Sequence, residues 1–77
     1  MRSDRQLLLG VLKSAQPSPQ VGSTLRDWVV NQTWASDPAK VIRAIRSKRR
    51  EHADDVEIRL LCTLMLREVE SRTESAG

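Results

Sequence analysis

Beyond Pro38 the chain runs to Arg72 without a glycine or a second proline. Nothing in that stretch stops a helix, and its apolar residues recur at helical rather than strand spacing. Read as one helix, it is roughly 50 Å long at 1.5 Å per residue, and half of it projects as an arm. Read as two, it turns near His52-Ala53. The turn is expected for three reasons. Asp54-Asp55-Val56-Glu57 has the spacing of a capping box with Asp54 in the cap position. Lys48, Arg49 and Arg50 suit the negative end of a helix. Val41, Ile42 and Ile45 need a surface to pack on.

The rest of the chain has the same character. A first helix is expected from about Ser3 to Ala15, capped by Ser3 or Asp4, with Leu7, Leu8, Val11, Leu12 and Ala15 on one broad face. Pro17 ends it. Residues 16–23 (Gln-Pro-Ser-Pro-Gln-Val-Gly-Ser) read as a loop. A short helix at about 24–32 follows, with Thr24 as its cap and Leu25, Trp28 and Val29 on its inner face. A connector carries Trp34, and Asp37-Pro38 starts the next helix with proline in its first turn. No segment alternates like a strand. The expectation is a single all-α domain of three or four helices at about 3–15, 24–32, 38–52 and 54–72, with a frayed tail at 73–77. The packing is bundle-like or orthogonal, with the first and last helices as an antiparallel spine.

Composition excludes several classes. With 77 residues there is room for one small core. Cys62 is the only cysteine and His52 the only histidine, so neither an internal disulfide nor a four-ligand zinc site of these residues can form. The apolar runs are far shorter than a membrane span, and Asp4 with no small-residue cleavage site argues against a signal peptide. No phosphate-cradling glycine loop is present. Cys62 falls on an apolar helix face and reads as a small buried hydrophobe, and His52 reads as a solvent-facing hinge residue. An enzyme, a cofactor, a metal and a small-molecule substrate are therefore not expected. A cytoplasmic protein is expected, or a nuclear one in a eukaryotic or viral host.

Two surfaces are unusual. The net charge of +3 conceals a cluster, because Lys40, Arg43, Arg46, Lys48, Arg49 and Arg50 all fall within residues 40–50, where there is no acid. At 100° per residue, Lys40, Arg43, Arg46 and Arg50 share one side and form a basic ridge suited to phosphates or an acidic protein groove. A solvated face complementing the helix dipole is the plainer alternative. The last helix is apolar on two sides. Ile58, Leu61, Cys62, Met65, Leu66 and Val69 make one wide face, and Val56, Leu60 and Leu64 make a second stripe roughly opposite. Such a helix is either central or covered by another chain. Self-association through this helix, giving a homodimer, or a protein partner is expected there, with Trp34 as a further anchor if it is exposed.

The reading is thus a small non-enzymatic regulatory or adaptor protein that binds other proteins. The alternative is a nucleic-acid-binding protein that lays its basic ridge on the phosphate backbone. In being short, Arg-rich and poor in aromatics, the chain is similar in kind to small accessory proteins of viruses, phages and mobile elements. No motif carries that likeness.

Overall fold

The computed structural model describes residues 4–32 and 37–76, with side chains for 5–32 and 37–72. These residues form four α-helices and no strand: α1 (Asp4–Ala15), α2 (Pro19–Asn31), α3 (Pro38–Glu51) and α4 (Val56–Ala76). The domain is small and all-α, as the helical periodicity predicts.

α1 ends as expected at Ala15. Gln16 takes a left-handed backbone, φ 50°, and Pro17 cannot extend the helix. A non-glycine residue in that conformation carries about 1–2 kcal/mol of strain. Inside α1, by contrast, Gly10 has no positive φ, and a Cβ built on it meets nothing within 4 Å. Gln16→Gly and Gly10→Ala are each therefore expected to stabilise the domain, by about 0.5–1 kcal/mol. A urea titration of each variant checks this.

α2 corrects the expected boundary. It begins at Pro19, not at Thr24, so most of the anticipated loop is helical. Ser18-Pro19 is the same device as Asp37-Pro38, an extended residue followed by proline in the first turn. Gly22 is not a loop marker. It is buried inside the helix, where an added Cβ would lie 3.0 Å from Pro17 Cγ, so its small size permits the close approach of that loop. The Thr24 hydroxyl donates to the Gln20 carbonyl (3.0 Å) instead of capping a helix start.

The chain does turn between α3 and α4. His52 N–H closes the end of α3 on the Lys48 carbonyl (3.2 Å), and Asp55 N–H bonds the His52 carbonyl (3.0 Å). The cap of α4 is Asp55, not Asp54: its Oδ1 accepts from Ile58 N–H at 3.2 Å. Asp55→Ala should cost about 0.5–2 kcal/mol, and Ala53→Gly at the turn should be nearly neutral, in thermal melts. α4 runs past its expected end at Arg72, to Ala76, there being no breaker before Gly77.

The most extensive pairing is α3 with α4, joined by the short turn, while α1 packs on both α2 and α4. The spine is therefore the α3–α4 hairpin and not α1 with α4. The molecule measures 35 × 22 × 20 Å. The core takes Leu7, Leu8 and Leu12 from α1, Leu25 and Val29 from α2, and Val41 and Ile45 from α3. α4 contributes Ile58, Leu61, Cys62, Met65, Leu66 and Val69, the whole of its predicted inner face. Val11, Ala15, Trp28 and Ile42 pack on its margin. No polar or charged side chain is buried among the described residues.

A polar clamp joins distant parts of this frame. The Glu57 carboxylate accepts from Ser18 N–H at 2.6 Å and from the Ser18 hydroxyl at 2.8 Å, tying the start of α2 to the first turn of α4. Glu57 therefore does not complete a capping box.

Candidate binding surfaces

Burial of Val41 and Ile45 fixes the rotation of α3 and thereby turns Lys40, Arg43, Arg46 and Arg50 to solvent. All four are exposed, and none makes an ion pair or a side-chain hydrogen bond among the described residues. The two other cations of the cluster are held inward. Lys48 Nζ lies 5.7 Å from the centroid of the Trp28 ring and 3.8 Å from Glu51 Oε1. Arg49 Nη1 donates to Thr63 Oγ1 on α4 at 3.3 Å. The six-residue cluster thus divides into two side chains that join α3 to its neighbours and four that face outward. Their angular positions separate the two groups in the sequence, but the partners Trp28 and Thr63 require the fold.

The second stripe of α4 is divided as well. Val56 is 72% exposed and Leu60 59%, whereas Leu64 is half-buried against the core. Val56 and Leu60 line a shallow groove with Arg49, Arg59 and Thr63, between α4 and α3. Leu64 lies nearer α1 and lines a separate groove with Gly10, Val11, Ser14, Arg67 and Arg72. Trp34, the remaining expected contact residue, lies outside the described residues.

Cys62 is fully buried. Burial pushes its thiol up to about 11, against a smaller opposing pull from Arg49 and Lys48, so it stays protonated and poorly nucleophilic at neutral pH. His52 is half-buried rather than solvent-facing. Its Nε2 is buried without a hydrogen-bond partner among the described residues, 3.8 Å from Glu51 Oε1. The solvent-facing hinge reading of His52 is corrected by this partial burial. Among the described residues no group of three or more His, Cys, Asp or Glu is placed to hold a metal ion. No described helix is long and apolar enough to cross a membrane.

No family model, no curated protein and no solved structure matches the chain.

Proposed function

We propose that this chain is a small non-enzymatic regulatory or adaptor protein, cytoplasmic or nuclear, that works by protein contact through the outer face of α4. The observation that supports this reading is the exposure of Val56 and Leu60 on a helix whose opposite face already fills the core. Folding gains nothing from two large aliphatic side chains left in water, at roughly 25 cal/mol per Å2 of apolar area, whereas covering them gains that energy on binding.

Leu60→Asp tests it, since a residue this exposed can be charged without disturbing the core. The variant is expected to melt like the parent, yet to lose the proteins that the parent retains in a pull-down, or the self-association the parent shows in light scattering at micromolar concentration. A strictly monomeric parent whose retained proteins are unchanged by Leu60→Asp would sink the proposal.

A second reading is favoured by a separate observation, the four outward cations of α3 that no described residue neutralises. On this reading the ridge engages the phosphate backbone of a nucleic acid.

A further inference from the structure

We infer that the groove between α3 and α4, floored by Val56 and Leu60 and flanked by Arg49 and Arg59, takes an acidic amphipathic helix of a partner protein. This rests on the reading of the outer α4 face as a contact surface and specifies the chemistry of what covers it.

The floor sets the shape of the occupant. Val56 and Leu60 stand one turn apart on α4, so their side chains form a short apolar strip along the helix axis. A helix laid on such a strip offers apolar residues at i, i+3 or i+4, and i+7.

The charge sets its composition. Arg49 and Arg59 line the groove and no acid does. Beyond Arg49 on α3 stand Arg46 and Arg50, exposed and unpaired. Three of the four acids at this end of the molecule are engaged elsewhere, and the fourth, Asp54, is exposed in the turn and does not line the groove. Glu57 holds Ser18, Asp55 caps α4, and Glu51 lies beside Lys48 and His52. The lining of the groove therefore carries two arginines and no acid, and its complement carries carboxylates beside its apolar residues.

A second copy of the chain fits less well. A two-fold contact of this face with itself brings Arg49 and Arg59 of one copy against those of the other. A nucleic acid also fits less well, since the groove has no aromatic ring on which a base could stack and its apolar floor matches nothing on a phosphate backbone.

The test is a phage-displayed library of 18-residue helical peptides, randomised on both faces and panned on the full chain. The expected pool is net acidic, with apolar residues at i, i+3 or i+4, and i+7. A representative peptide should lose more than tenfold in affinity for Leu60→Asp and for Arg59→Glu, both checked for parent-like melting. Replacing only the Glu that pairs with Arg59 by Lys should restore affinity for Arg59→Glu alone. A neutral or basic pool that still depends on Leu60 overturns the acidic partner and leaves the α4 contact face standing. A pool that binds Leu60→Asp as well as the parent, or no enrichment at all, overturns both. Displacement of the peptide by a 20-base-pair DNA duplex assigns the groove to nucleic acid, and a parent dimer that the peptide cannot enter assigns it to a second copy. Either result overturns the inference.

Discussion

Ile45→Ala is expected to lower stability by about 2–4 kcal/mol, while Arg46→Ala, the next residue, should change it by less than about 0.5 kcal/mol. Ile45 has no solvent exposure, and α3 reaches the core chiefly through it and Val41. α3 also has little support of its own. Isolated helices below about 12–15 residues are marginal in water, and α3 has 14. Arg43, Arg46 and Arg50 follow one another at i, i+3 and i, i+4 spacings, where like charges repel by a few tenths of a kcal/mol per pair. Burial against α4 therefore supplies most of its helicity. Because small domains hold only about 5 kcal/mol or somewhat more, losing Ile45 should bring the chain close to its unfolding midpoint in water. Urea titration followed by circular dichroism measures both variants. Equal midpoints for the two would mean that α3 does not depend on this contact.

The second large effect concerns the ridge. If it lies on duplex DNA and neutralises four phosphates, log affinity should fall against log salt with a slope of roughly −3 to −4, or about a hundredfold between 50 and 200 mM. Replacing Lys40, Arg43, Arg46 and Arg50 together by Ala should remove both the binding and the slope. The fold should survive, because these side chains are exposed, make no bonds among the described residues and repel one another. Fluorescence anisotropy at the two salt concentrations, beside a melt of the variant, decides the matter. Failure of the parent to bind single- or double-stranded DNA or RNA at low salt would remove this reading and leave the ridge to an acidic protein.

Much of this architecture is written in periodicity. The inner faces of α1 and α4 follow from residue spacing, as does the outward set on α3, because one buried stripe fixes the rotation of a helix. The turn after Glu51 is legible from charge and capping pattern, although two adjacent aspartates leave the cap ambiguous. The structure settles on Asp55, whose Oδ1 accepts from the Ile58 backbone N–H. The start of α2 is obscured because Pro19, Gly22 and Ser23 have loop-like composition. Proline in a first turn and glycine under a close approach use the same residues for opposite ends. The Ser18–Glu57 clamp has no local signature, and neither do the partners of Lys48 and Arg49, since each joins segments far apart in the chain. The groove lined by Arg49 and Arg59 is hidden for the same reason.

The Ser18–Glu57 clamp spans 39 residues, whereas α3 and α4 meet across a turn of a few. Closing a loop costs entropy that rises with the logarithm of its length, and a contact repays that cost only once both its ends are ordered. By this measure the pairs α1–α2 and α3–α4, each joined by only a few residues, should form before the contacts between them. The clamp then joins late, and its loss should appear as faster unfolding with an almost unchanged folding rate. By this timing the outer face of α4, with its groove beside α3, should be assembled before the two halves of the molecule have closed on each other.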